Sequence, residues 1–172
     1  EAMTMANRII IMNDGHIVQV DDPVTMYNEP VNKFVGGFIG SPAMNFAEGK
    51  IVEKDKKLFF IRENEFELML LKEHTAKMED YIGKEVILGF RPENMEDKVF
   101  VPDSKPFTTV KARIDVIEPM GSEVYVYFHT ETLSFIGRFS PKIKVNIGDT
   151  MEVVLDMERI KFFDKETEDK II

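Results

Sequence analysis

GFIGSPAMNF, residues 37–46, divides this sequence in two. Gly40, Ser41 and Pro42 stop an apolar stretch, and Met44 and Phe46 open another. Ahead of the stop the pattern is α/β. Ile9-Ile10-Ile11-Met12 and His16-Ile17-Val18-Gln19-Val20 flank Asn13-Asp14-Gly15, a hairpin signal because the turn needs positive φ, which Gly adopts freely. The first arm is apolar on both faces, as in a strand covered on both sides, and nothing else in the first forty residues is expected to cover it. Residues 1–40 are therefore expected to be disordered, or to pair with another chain or non-natively with the rest. Asp22-Pro23 reads as a cap and first helical residue, with a short helix to Asn28. A second helix is expected from Pro30, with Val31, Phe34, Val35, Phe38 and Ile39 on one face and Gly36 and Gly37 interrupting it.

Behind the stop the segments become short and β-like. Two strands are expected within 49–61 around the turn at 54–57, another at 65–71, one helix at 73–81, and a buried strand at 86–90 leading into Arg91-Pro92. Residues 94–107 are polar, carry two prolines and read as a connection. Ser104-Lys105-Pro106 and Ser140-Pro141 read as turns. Further strands are expected near 108–118, 123–129, 133–139, 150–156 and 159–163. Five short strands with one helix form the pattern of an OB-type barrel, and there is chain for two such lobes. The division is therefore 1–40, an α/β piece too small to be a domain, and 41–172, a mainly β domain.

Composition narrows the function. Apolar residues make up 44%, enough to bury a core. The net charge of −9 argues against a nucleic-acid or anionic-membrane partner, which calls for clustered Lys and Arg. With no cysteine, disulfides and thiolate metal sites are excluded, which fits a cytosolic setting. No apolar run approaches the ~20 residues of a membrane span, and no signal-peptide pattern is present. Beginning at Glu1, the sequence reads as a processed or excised chain.

Catalytic signatures are absent. There is no GxxxxGK[ST] loop to cradle nucleotide phosphates, no GxGxxG and no GxSxG. His16, His74 and His129 lack ligand spacing and read as solvated or turn-side residues. Glu63, Glu65 and Glu67 alternate as on the wet face of a strand. Tyr125, Tyr127, Phe128, Phe135 and Phe139 would suit a base-stacking platform, but the cationic groove such a platform needs is missing, so they read as core. Of the adjacent Phe162 and Phe163, one is assigned to the core and Phe163 is kept as a candidate contact, since strand neighbours point to opposite faces.

Residues 1–46 resemble the end of the ATP-binding subunit of a carbohydrate-import ABC transporter, of the maltose/glycerol-phosphate importer type. Gly89-Phe90-Arg91-Pro92-Glu93-Asn94 resembles that family's G-I-R-P-E segment, and Glu118 with Gly121-Ser122-Glu123 its E-x-x-G-x-E segment. The resemblance implies a remnant of the nucleotide-binding domain at 1–40 and a regulatory domain of OB-like (TOBE or MOP-like) lobes at 41–172. It implies that the parent protein binds ATP and Mg, while this chain, without the phosphate loop, signature motif and switch histidine, has no catalytic residue, cofactor site or metal site. It implies a homodimer, membrane-spanning permease subunits as partners through the parent ATPase, a cytosolic regulator in some members, and a place at the inner face of the cell membrane. Gly89, Arg91, Pro92, Glu93, Glu118, Gly121, Ser122, Glu123 and Phe163 are the candidate structural and interface residues. Gly121 is expected in a tight turn, and Arg91 is expected to pair with a carboxylate, within the domain or across the dimer. The alternative is a small-ligand or oxyanion-binding OB-like sensor, in which an oxyanion needs backbone amide nests or Lys/Arg at a lobe junction.

Overall fold

The computed structural model describes residues 2–101 and 108–172, so the turn expected at 104–106 lies outside them. After a single helical turn, α1 (Ala2–Met5), the strands β1 (Ile9–Asn13) and β2 (His16–Asp21) pair antiparallel, with Asn13 opposite His16. Asp14 and Gly15 between them have φ of 47° and 80°, the two positive values a type I′ turn requires. Ile9 and Ile11 are buried, whereas Ile10 and Met12 on the other face are each 56% exposed.

The expectation that nothing nearby covers this strand is corrected. Met26, Val35 and Ile39 close over Ile9 and Ile11 in a separate small core. Two caps make that possible by turning the chain back. The Asp22 carboxylate accepts from the Val24 and Thr25 amides at the start of α2 (Pro23–Asn28), and the Asn32 side chain accepts from the Val35 amide at the start of α3 (Lys33–Phe38). The Asn32 cap also sets the helix start later than Pro30. Val31 stays outside the helix, and Phe38 is exposed and stacks on Phe34, so the apolar stripe is not one buried face.

Behind the stop lie two five-stranded antiparallel sheets. The first has the order β12-β6-β3-β4-β5, from β3 (Asn45–Lys54), β4 (Lys57–Arg62), β5 (Phe66–Met69), β6 (Glu85–Phe90) and β12 (Lys161–Asp164). The second has the order β10-β9-β8-β11-β7, from β7 (Met95–Asp97), β8 (Thr108–Pro119), β9 (Val124–His129), β10 (Ser134–Phe139) and β11 (Thr150–Leu155). Met95–Asp97 therefore forms a strand on β11, not part of a bare connection. The expected helix at 73–81 is α4 (Lys72–Met78), tightening into a 3-10 turn at Glu79–Tyr81.

Alternation explains the core. Phe60, Leu68, Leu88 and Phe162 of the first sheet meet Val126, Phe128, Phe135 and Val153 of the second in one cluster. Phe128 stacks on Phe135 with centroids 5.1 Å apart and meets Phe139 edge-on, so these rings are core, while Tyr125 and Tyr127 alternate to the outer face. Glu65 corrects the wet-face reading. Its side chain is only 3% exposed, is ion-paired to Arg62, and accepts from the Thr130 hydroxyl at 2.7 Å and the Thr132 hydroxyl at 3.0 Å. It thereby ties the β4–β5 turn to the β9–β10 turn. The domain is mainly β and OB-like, as expected.

Candidate functional site

Arg91 lies where the N-terminal segment meets the β domain. β6 ends at Phe90 and delivers the next residue to the junction, with Pro92 opening a 3-10 turn that fixes its exit. Arg91 is 3% exposed. One guanidinium nitrogen donates to the Ile39 carbonyl and another to the Tyr27 carbonyl, both at 2.6 Å. Ile39 is the C-cap of α3, and Tyr27 lies in the last turn of α2, so both carbonyls are ones a helix end leaves unpaired. One planar fork thus caps two helices, which a single ammonium could not do. The guanidinium also sits 3.7 Å from the centroid of the Tyr27 ring.

Within the domain, this corrects the expected carboxylate partner of Arg91. Glu93 accepts from the Tyr27 hydroxyl, so the acid reaches Arg91 through the ring that the cation covers. Burial and the bond to Glu93 push the Tyr27 phenol up to about 12, against the opposing charge of Arg91. Burial pulls the Arg91 guanidinium below its ordinary value. The oxyanion reading asks for a cation at a junction. Arg91 is such a cation, but it is committed to two carbonyls.

Gly89 and Phe163 support the same junction from behind. Phe163 is fully buried, so the two faces of β12 are both covered: Phe162 by the main core and Phe163 by Met44, Ile87 and Phe46. A Cβ on Gly89 would come within 2.7 Å of both Met44 Sδ and Phe163 Cε2. A Cβ on Gly36 would meet Met44 Sδ at 3.1 Å and Phe163 Cζ at 3.6 Å. The glycines that interrupt the helical pattern are therefore what let α3 lie close to the β domain.

The last residues of the chain complete the junction. The Lys33 amide donates to the Glu168 carbonyl and the Lys170 amide to the Val31 carbonyl, each at 2.9 Å. Lys161 and Lys170 both donate to Glu29, at 2.8 and 2.6 Å. Burial pushes the Glu29 carboxyl up, but the two ammonium groups outweigh it and hold the group below its ordinary value. Gln19, 5% exposed, donates to Asp21 and to the Glu29 carbonyl and accepts from the Val31 amide.

The other predicted residues lie elsewhere, at the β8–β9 hairpin. The Met120 amide donates to the Glu123 carbonyl, and Gly121, with φ 86°, takes the first central position, as in a type II′ turn with Ser122 second. Glu118 accepts from the Tyr127 hydroxyl at 3.0 Å and Glu123 from the Tyr125 hydroxyl at 2.9 Å, so these acids pair with tyrosines on the outer face. The nine candidates thus fall into a junction group and a hairpin group.

Residues 40–95 match the family described as the MalK OB fold domain. The chain is 42% identical over 173 residues to the oligosaccharides import ATP-binding protein MsmX of Bacillus subtilis, covering 99% of this chain and 46% of that protein. It is 39% identical over 170 residues to the trehalose/maltose import ATP-binding protein MalK of Thermococcus litoralis, covering 97% of this chain and 45% of that protein. The chain is thus similar, over nearly its whole length, to part of the ATP-binding proteins of sugar importers. It spans about half the length of the curated relatives it matches. Among solved structures, a molybdate-bound form of the cytoplasmic molybdate-binding protein ModG superposes with a TM-score of 0.54 at 12% identity, covering 69% of this chain and 94% of that one. At that identity the likeness speaks for the fold alone.

Within this chain, sequence reading missed Tyr27, Gln19, Glu29 and Asn32. A glutamine inside an otherwise apolar strand was the available signal for Gln19. For Asn32 the signal was local, an asparagine three residues ahead of the Val35 amide it caps; Tyr27 and Glu29 gave none, because their partners lie far along the chain. His74 also departs from the solvated reading. Its side chain is 12% exposed, its Nδ1 is buried without a partner, and burial holds its pKa below the ordinary value. His129 pairs with Asp115 at 2.7 Å.

Proposed function

We propose that this chain is the regulatory and dimerising region of the ATPase subunit of an ABC-type sugar importer, and that it does not itself hydrolyse ATP. One observation carries the reading. β1 and β2 pair only with each other among the described residues, and their outer face leaves Ile10 and Met12 at 56% and Ile17 at 62% exposure. A two-stranded sheet with one bare apolar face is what the rim of a larger sheet leaves when the rest is removed. The helices packed on that rim are fastened to the OB-like domain by Arg91, so motion of an attached ATPase domain would carry the β domain with it.

In this reading the intact subunit binds ATP and Mg and works at the cytoplasmic face against permease subunits. Two copies of the β domain stay in contact while the ATP sites open. The ATPase halves are then held at high effective concentration, and re-closure is intramolecular. A cytosolic regulator that binds one geometry of the pair shifts the cycle by its difference in affinity for the two states.

Sedimentation equilibrium of the 172-residue chain, beside an ATP-hydrolysis assay, tests both halves of the proposal. The expected mass is twice 19.9 kDa, with no turnover. A monomer at tens of micromolar would overturn the dimerising role, and turnover would overturn the non-catalytic one.

A further inference from the structure

The stretch that divides the sequence also contains Asn45, whose role the regulatory reading does not use. Asn45 begins β3, opposite Phe90 of β6 in the first sheet. Its side chain reaches across to the second sheet. Asn45 Nδ2 donates to the Ile136 carbonyl and the Ile136 amide donates to Asn45 Oδ1, each at 2.9 Å. Ile136 lies in the middle of β10, the terminal strand of its sheet, with Tyr127 of β9 as its neighbour. A carboxamide carries one donor and one acceptor like a peptide unit, so Asn45 supplies both hydrogen bonds that an added strand would make at that position. An uncovered edge of this kind is a template for pairing with another chain.

We propose that Asn45 is an edge guard: it occupies the outward-facing peptide groups of Ile136 and keeps β10 from accepting the β10 strand of a second copy. The sequence of that strand, Ser134–Phe139, explains why a guard is needed. SFIGRF has two phenylalanines and an isoleucine, a single charge and no proline, the composition of a self-pairing segment. Antiparallel two-fold pairing centred on Ile136 sets Ile136 against Ile136 and Ser134 against Arg138, with no like charges opposed. At the neighbouring turn the Glu65 clip to Thr130 and Thr132 holds the same hairpin, so removing the Asn45 carboxamide frees the Ile136 peptide groups without releasing the strand. This inference stands without the regulatory reading, because it concerns an association that the native chain avoids.

The test compares the full chain with Asn45→Ala and with Asn45→Ala/Ile136→Pro. The Ile136 amide points to Asn45, so proline there blocks a new strand on the outward side. Amide exchange is read at Ile136, with Val126 and Phe128 as internal references, and mass is read by sedimentation velocity across a concentration series. In the wild type the Ile136 amide is expected to be protected despite its edge position. In Asn45→Ala its exchange at low protein concentration should rise at least tenfold relative to the references, and species larger than the wild type's should grow with concentration. The double variant should return to the wild-type mass. An unprotected Ile136 amide in the wild type overturns the proposal, even if the variants fail to fold. So does an Asn45→Ala chain with wild-type exchange and mass, or a double variant that still associates.

Discussion

Replacing Arg91 by methionine keeps most of the apolar stem and removes the fork. The Ile39 and Tyr27 carbonyls then lose a charged donor in a site that is 97% shielded from water, Arg91 being 3% exposed. Hydrogen bonds to charged groups contribute ~1.5–3 kcal/mol each, which gives ~3–6 kcal/mol for the pair. The cation over the Tyr27 ring adds ~1 kcal/mol. Against this stands the desolvation of the guanidinium, which methionine relieves. The net expectation is a loss of about 3–5 kcal/mol, the range found when one partner of a buried charged contact is removed. At ~1.4 kcal/mol per factor of ten, that is a fall of two to three and a half powers of ten in the folded-to-unfolded ratio. Urea denaturation of the full chain at pH 7 measures it, and with a slope near ~2.5 kcal/mol/M the midpoint drops by about 1.5 M. Arg91→Lys should recover no more than about half of the loss, since one ammonium cannot reach both carbonyls in the plane the fork provides. An Arg91→Met chain within about 1 kcal/mol of the wild type, with an unchanged slope, would refute the view that this side chain fastens the two segments.

Two further predictions concern the same junction. Gly89→Ala places a Cβ within 2.7 Å of Phe163 Cε2 as well as Met44 Sδ, and while the thioether can move, the buried ring cannot. A loss of about 1–3 kcal/mol is expected, read as a calorimetric melting shift of roughly 2–4 °C per kcal/mol, and an unshifted melt would show that the packing yields. The Tyr27 phenol, raised to about 12 by burial and by Glu93, contributes stability that is full below the unfolded tyrosine value near 10 and is lost as pH rises through about 12. Denaturation followed across pH 9–12 should therefore steepen above 10 in the wild type and less so in Tyr27→Phe. Parallel curves would count against the buried phenol.

The legible part of this fold was local. The Asp14-Gly15 turn, the Asp22-Pro23 helix start and the strands β9 to β11 each rest on residues a few positions apart, and each formed where expected, though Tyr125 and Tyr127, read as core, alternate to the outer face. Arg91 was singled out by the sequence, but its bonds within the chain run to carbonyls, because a sequence suggests carboxylates for an arginine and does not show which main-chain carbonyls a fold leaves bare. Glu65 misled for a related reason. Its alternation with Glu63 and Glu67 was real, yet the β9–β10 turn that buries it comes 65 residues later. Phe163 was half legible: period two placed it opposite Phe162, but only the packing of α3 and Met44 shows that its face is also covered. The two interrupting glycines looked like defects in a helix and are points of close approach.

The contacts between the chain's last residues and its first helices also set a schedule. Lys33 and Glu168 are 135 positions apart, and Glu29 and Lys170 are 141 apart. At a synthesis rate of about 5–20 residues per second, the first of these partners waits roughly 7–27 s for the second. Among the described residues, Ile9 and Ile11 are covered throughout that interval by Met26, Val35 and Ile39. The Arg91 fork arrives about halfway, and the closing strap arrives last. A nascent chain stalled between those two events holds α3 by the Arg91 fork alone, without the strap from Glu168 and Lys170. The order of manufacture thus leaves these two helices dependent on a segment made some 135 residues after them.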